Sequence, residues 1–137
     1  DHVEQHIGIS KDYNVFELQR ALGQKDVERA NRIVNYFEAN PKNAPLAMVV
    51  PVLHAYFARV LVYQTLADKH DSAAAKAMKC SPYAVKDYAR AAQSYSPAKV
   101  ERIFGYLREA DKKAKGRGNA TISDGMLLRE AVFKILH

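Results

Sequence analysis

The stretch that decides the fold is residues 96–116, SPAKVERIFGYLREADKKAKG, because it encodes both ends of a helix. Ser96 is suited to accept hydrogen bonds from the unpaired amides of a first turn, and Pro97 suits the first helical position. Gly116 is predicted to stop the helix in a left-handed conformation, after lysines that the helix dipole favours there. Apolar side chains recur at helical spacing along one face: Val100, Ile103, Phe104, Leu107, Ala110 and Ala114.

Asp111 falls on this same apolar face, so its carboxylate is predicted to point toward the packed side. A buried carboxylate without partners is costly. We therefore expect Asp111 to accept hydrogen bonds from the start of a facing helix or from a cation such as Arg59. The helix would then have a structural role, fixing how the last helices pack.

Length and composition indicate a single globular domain. The chain has 137 residues, of which 48% are hydrophobic and 26% charged, with no low-complexity run. The single Cys80 excludes an internal disulfide and fits a reducing compartment. No segment has the pattern of a signal peptide, so we expect a cytoplasmic protein. The sequence opens on Asp1 without a methionine, from which we expect a fragment of a longer protein.

The positive charge is concentrated in one part of the chain. Residues 76–117 hold eleven Lys and Arg against four Asp and Glu, a net charge of +7, whereas the remainder is close to neutral. A basic region of this kind is found on surfaces that bind nucleic acid or an acidic partner. The cations are dispersed rather than clustered, however, which is also typical of a solvated helical face.

The rest of the chain is predicted to form six further helices. Residues 1–12 are interpreted as a tail from a preceding region, so that the domain spans 13–137. The first helix, capped by Asn14, would place Phe16, Ala21 and Leu22 inward. The six predicted spans are about 14–23, 26–40, 45–69, 71–79, 82–93 and 123–137. Without a credible strand, the fold class is an all-α bundle of seven helices, two of them short.

The segment from Pro45 to about Lys69 is apolar nearly all round, which is typical of a helix in the middle of a bundle. A membrane span is rejected because His54, Arg59 and Gln64 lie inside it. Pro51 is expected to disturb its early turns. His54 is interpreted as a packed or hydrogen-bonded core histidine, not as a catalytic base.

Motifs that carry chemistry are scarce. The sequence contains no glycine-rich phosphate loop, no cysteine pair for zinc and no G-x-S-x-G elbow. His2 and His6 are spaced for one helical face, but the zincin arrangement is not met and no third metal ligand is nearby. Tyr95 lies in a turn between helices, where it could be exposed; a packing role is favoured over base stacking. We therefore expect no catalytic site, no cofactor and no metal.

Several motifs resemble one family in order and spacing. The run GISKDYNVFELQRAL (residues 8–22) is similar to the junction that precedes the last domain of a clamp-loader delta subunit, where Phe-x-Leu-x-x-Ala-Leu is typical. Further similarities lie in Pro82-Tyr-Ala-Val-Lys86, in LREAD followed by Lys115-Gly116, and in Leu127-Leu128-x-Glu130. The chain resembles the C-terminal domain of the delta subunit of bacterial DNA polymerase III over nearly its whole length.

This resemblance implies an assembly role without catalysis. In the family, a helical domain of delta joins its neighbours' equivalents in a collar, and the five-subunit ring loads the sliding clamp onto primed DNA. The implied partners are the tau/gamma and delta-prime subunits, with no membrane involved. The resemblance also implies that the loop 117–122 lies near DNA, which makes Lys115, Arg117 and Asn119 candidate DNA-proximal residues.

Met126 and Phe133 lie off the inward stripe of the last helix and are candidates for the subunit interface. The alternative is that both pack against helices of their own domain. We expect the isolated fragment to be monomeric, because collar contacts require different partners. Two other functions are considered: a freestanding basic helical domain that binds nucleic acid, and a small metalloenzyme that uses His2 and His6.

Overall fold

The computed structural model describes residues 10–116 and 122–137, which form seven α-helices and two short 3₁₀ turns. No strand occurs in these two ranges, and the prediction of an all-α bundle is confirmed. The 3₁₀ turns Pro41–Asn43 and Pro82–Ala84 precede the third and fifth helices. The helices are α1 (Val15–Gly23), α2 (Val27–Ala39), α3 (Leu46–Thr65), α4 (Asp71–Met78), α5 (Val85–Ser94), α6 (Pro97–Gly116) and α7 (Asp124–Leu136).

The predicted helix starts are capped by the side chains that the sequence offers. The Asn14 carboxamide oxygen accepts hydrogen bonds from the amides of Phe16 and Glu17, both at 3.0 Å. Ser96 accepts from the Lys99 amide at 3.1 Å, and Ser123 starts α7 in the same way. Each of these bonds satisfies one of the amides that a first turn leaves unpaired.

Helix α3 is the centre of the bundle. It contacts α1, α4, α5, α6 and α7, and six of its side chains are buried. In the described part of the chain it is also the one helix long and apolar enough to cross a membrane by length and composition. The core helix of a soluble protein passes the same test, and its contacts with five neighbouring helices favour that interpretation. The helix ends at Thr65, four residues before the predicted end.

Two aromatic residues differ from the prediction in burial: one predicted to be buried is exposed, and one predicted to be exposed is buried. Phe16 is 62% exposed, because Val15, Leu18 and Leu22 form the inward face of α1 and leave it on the flank. Tyr95, predicted to be accessible, is 1% exposed, and its hydroxyl donates to the Leu22 carbonyl at 2.5 Å. Burial raises the pKa of the Tyr95 hydroxyl, which stays protonated as a donor. The packing role of Tyr95 is therefore confirmed, and its expected exposure is wrong.

Two local expectations also need correction. His54 is not a core residue; it lies at the surface, with its ring 4.7 Å from that of Phe104 on α6. Gly116 is the last residue of α6, but its φ lies outside the left-handed region, so it does not form the predicted stop. In both cases the helix itself was correctly predicted, whereas the local environment depended on neighbouring segments.

Candidate subunit interface

The last helix, α7, has one face in the core and one apolar strip in solvent. All six predicted inward residues are buried: Leu127, Leu128, Ala131, Val132, Ile135 and Leu136. Met126 is 51% exposed and Phe133 is 62% exposed. These two residues are two helical turns apart and therefore lie on the same side of α7. Neither side chain is enclosed by the rest of the domain, which argues against the alternative that both pack within it.

Two polar side chains, Glu130 and His137, lie beside this strip. Glu130, between Met126 and Phe133 along the helix, forms an ion pair of 3.1 Å with Lys113 of α6. The hydrogen bond from Lys113 is the main reason that the pKa of the Glu130 carboxyl lies below its usual value. The Phe133 ring lies 4.6 Å from the ring of His137. An apolar centre with a polar, solvent-accessible rim is the usual anatomy of a protein interface.

A second contact ties α6 to α7 near the end of the chain. The Lys99 ammonium donates to the Lys134 carbonyl at 2.8 Å and lies 5.4 Å from the centre of the Tyr106 ring. The Lys134 ammonium approaches the same ring at 5.9 Å. A cation over an aromatic face is stabilised by the ring quadrupole. These contacts join α6 to α7 at Lys134, the residue after Phe133.

The opposite flank of α7 is fixed against α2. Arg129 forms an ion pair with Glu38 and also donates to the side chain of Asn35. At Gly125 the two helices approach so closely that a Cβ atom would lie 2.3 Å from Glu38 Cγ and 3.1 Å from Glu38 Cα. The strip is therefore held on a rigid element rather than on a loop.

The start of α7 also caps the central helix. The Asp124 carboxylate accepts a hydrogen bond from the Leu46 amide at 2.8 Å, at the first residue of α3. Pro45, which precedes that helix, provides no side-chain cap. An anionic acceptor at a helix N-terminus is favoured by the unpaired amides and by the helix dipole. This pairing was missed in the sequence, where Asp124 marks only the start of its own helix.

Asp111 and Arg59 are not paired with each other. Asp111 is only partly buried and forms an ion pair of 2.8 Å with Lys115, one turn later on the same helix. The Arg59 guanidinium instead donates to the Met78 carbonyl at 2.9 Å, at the end of α4. The predicted partner is therefore wrong: a carboxylate at the edge of a helix face reaches water and a lysine four residues on.

The candidate DNA-proximal residues are only partly within the described ranges. Lys115, the residue before the end of α6, has its side chain 75% exposed and paired with Asp111. Arg117 and Asn119 lie outside the described residues, as do His2 and His6. Within residues 76–116, the described part of the basic stretch, eight cations are exposed, distributed over α4, α5, α6 and the turns between them: Lys76, Lys79, Lys86, Arg90, Arg102, Arg108, Lys112 and Lys115.

Comparison with known proteins identifies the family. The family model described as "DNA polymerase III delta subunit, C-terminal domain" matches residues 12–129, most of the chain. The chain belongs to this family. It is therefore a domain of a clamp-loader subunit, a component of DNA replication. Searches of curated proteins and of solved structures gave no match.

The matched range includes most of the helices that form the surfaces described above. It includes all of α1 to α6 and ends at Arg129, so Met126 lies inside the matched range and Phe133 beyond it. Membership of the family implies association with other clamp-loader subunits. The strip on α7 is thus a surface on which such an association can be tested.

Proposed function

We propose that this domain joins the delta subunit to its neighbours in the clamp-loader ring, working in the cytoplasm and without catalysis of its own. Its partners would be the tau/gamma and delta-prime subunits, and the strip of Met126 and Phe133 would contact one of them. The domain would contribute to loading of the sliding clamp by holding delta in place within the ring.

The observation that carries this proposal is the exposure of two large apolar side chains on a rigid helix. Phe133 is 62% exposed although every inward position of α7 is already filled. Neither it nor Met126 is needed to complete the core of the domain. Aromatic residues and methionine are enriched in interfaces, and their burial supplies much of the binding free energy.

Two tyrosines with strongly raised pKa values have structural roles in the core. The largest pKa shifts belong to the Tyr56 and Tyr95 hydroxyls, and both are raised mainly by burial. A phenol whose pKa is raised stays neutral and is a poor base near neutral pH. These tyrosines lie in the core, with neither side chain more than 3% exposed.

Co-purification tests the proposal directly. The chain, expressed with tau/gamma and delta-prime, should elute with them on size exclusion, whereas the chain alone should be a monomer by light scattering. If well-folded components form no complex, the collar assignment is wrong. A stable homodimer of the chain alone would also count against it.

A second function, binding of nucleic acid without protein partners, is favoured by the eight exposed cations on α4 to α6. Such binding depends on release of counterions from phosphates, so the affinity should fall steeply with salt. Fluorescence anisotropy with a labelled duplex distinguishes the two functions. Tight, strongly salt-dependent binding by the chain alone would support the second one.

A further inference from the structure

A small cleft lies between α1 and α5, helices other than those that carry the Met126 and Phe133 strip. Its volume is about 100 Å³, and Tyr56, Tyr88 and Gly23 line its inner part. Tyr56 and Tyr88 are 3% and 7% exposed, and their ring centres are 5.1 Å apart. The inner part of the cleft is thus an ordered aromatic surface, built by core residues.

The outer part of the cleft combines an apolar side chain with unpaired cations. Phe16, Arg20 and Arg90 line it and are all exposed. Neither arginine forms an ion pair with a carboxylate among residues 10–116 and 122–137. Asp87 is the one acidic residue of the lining. The cleft therefore carries a net positive charge beside an exposed phenyl ring.

We propose that this cleft binds an acidic peptide segment of a partner protein, with one aliphatic side chain inserted and carboxylates paired with Arg20 and Arg90. Two guanidinium groups that have no carboxylate partner within the described ranges are complementary to carboxylates, which they can bind with two parallel hydrogen bonds. The exposed Phe16 ring would cover the inserted side chain.

The size and charge of the cleft favour a peptide over single-stranded DNA. An apolar cavity of about 150 Å³ is large enough to bind benzene. This cleft, at about 100 Å³, is smaller than that cavity, whereas a nucleobase is larger than benzene. It therefore fits an aliphatic side chain better than a nucleobase. Asp87 would repel a phosphate backbone, whereas a peptide can place an uncharged residue beside it.

Selection from a library of random twelve-residue peptides tests the proposal, because it assumes no particular ligand sequence. The library is displayed on phage and selected on the immobilised chain, with depletion on the Arg20→Gln/Arg90→Gln variant. The enriched peptides should contain several Asp or Glu around an aliphatic residue. No enrichment, or enriched peptides without acidic residues, would overturn the proposal.

Affinities of one enriched peptide, labelled with fluorescein, then locate the site. Each arginine replaced by glutamine should weaken binding between about twofold and fivefold, as for exposed ion pairs. Phe16→Ser should also weaken it, whereas Asp87→Asn should not weaken it, because an acidic peptide makes no attractive contact with the Asp87 carboxylate. The matched control Arg102→Gln/Arg108→Gln removes two exposed cations elsewhere and should change the affinity little.

Two further measurements separate the alternatives. The variant Met126→Ser/Phe133→Ser should bind the peptide as the unaltered chain does, so the result does not depend on the proposed assembly role. A labelled fifteen-residue oligothymidylate should bind weakly, and equally to the Asp87 and arginine variants. If the oligonucleotide, rather than the peptide, loses affinity in the Arg20→Gln/Arg90→Gln variant, the cleft is a nucleic-acid site and the proposal is wrong.

Discussion

Adding a methyl group at Gly23 and adding one at Gly105 should change the stability of the domain in opposite directions. A Cβ atom at Gly23 would lie 1.9 Å from the Tyr56 hydroxyl oxygen and 3.0 Å from Tyr56 Cζ. At Gly105, in the interior of α6, it would meet no heavy atom within 4 Å apart from its two chain neighbours and the nearby backbone of its own helix. The same substitution therefore tests packing at one position and helix propensity at the other.

The expected magnitudes follow from these surroundings. Tyr56 is 3% exposed, with the rings of Phe57 and Tyr88 each 5.1 Å away, so it cannot move aside cheaply. Overpacking of such a site costs about 1–3 kcal/mol. At Gly105, alanine is favoured by about 0.5–1 kcal/mol because glycine loses more backbone entropy on folding.

Urea and thermal unfolding, followed by circular dichroism, measure both effects. For a domain of this size, 1 kcal/mol corresponds to a shift in Tm of about 3–5 °C, so Gly23→Ala should lower Tm and Gly105→Ala should raise it. The double variant Gly23→Ala/Tyr56→Phe should recover part of the loss, since the closest overlap involves the hydroxyl. If Gly23→Ala were as stable as the unaltered chain, the packing of α1 against α3 would not be as described.

Three other substitutions test polar contacts of the fold. Tyr95→Phe removes the hydrogen bond to the Leu22 carbonyl, which still accepts one from the Lys25 amide at 3.0 Å. Urea unfolding should show that the free energy of unfolding falls by about 1 kcal/mol. The control Tyr83→Phe, at a 95% exposed side chain, should leave it unchanged. Asp124→Ala should cost about 1–2 kcal/mol and accelerate hydrogen exchange of the Leu46 amide, because α3 loses its cap; unchanged exchange there would contradict this. Asp111→Leu should change the free energy of unfolding by no more than about 0.5 kcal/mol, and a larger loss would mean that Asp111 has a buried partner.

The sequence was sufficient to predict where the helices lie, because the signals for their ends are local. Asn14, Ser96 and Ser123 cap the helices that they were expected to cap. The inward stripe of α7 was predicted residue by residue, since a period of 3.6 residues defines an apolar face without reference to any neighbour. The family resemblance, which used the order of several motifs, is confirmed by the family match.

Contacts between helices could not be predicted in the same way. Periodicity identifies the apolar side of α3 and α6, but not which neighbour covers each part of it. His54 was therefore assigned to the core, although it lies at the surface against Phe104. Similarly, no local signal indicates that the Asp124 carboxylate reaches Leu46, a residue 78 positions earlier.

The same difference between local signals and contacts between helices applies to the candidate sites. The exposure of Met126 and Phe133 could be predicted because both lie off the apolar stripe of a single helix. The cleft between α1 and α5 was missed, because Phe16 was assigned to the core and because Arg20 and Arg90 are seventy positions apart. A surface made from two helices becomes visible only when their packing is known.

The affinity of the chain for the tau/gamma and delta-prime subunits, measured before and after removal of the α7 strip, tests the central claim most directly. A phenylalanine side chain presents about 200 Å², and Phe133 is 62% exposed. Covering the exposed part, about 120 Å², would contribute at most about 3 kcal/mol, or roughly a hundredfold in Kd. Met126→Ser/Phe133→Ser should therefore weaken the complex between about tenfold and a hundredfold in sedimentation velocity, without lowering Tm, while the control Tyr83→Ser binds normally. Equal affinities for the unaltered chain and the double variant would contradict the assignment of this strip to the subunit interface.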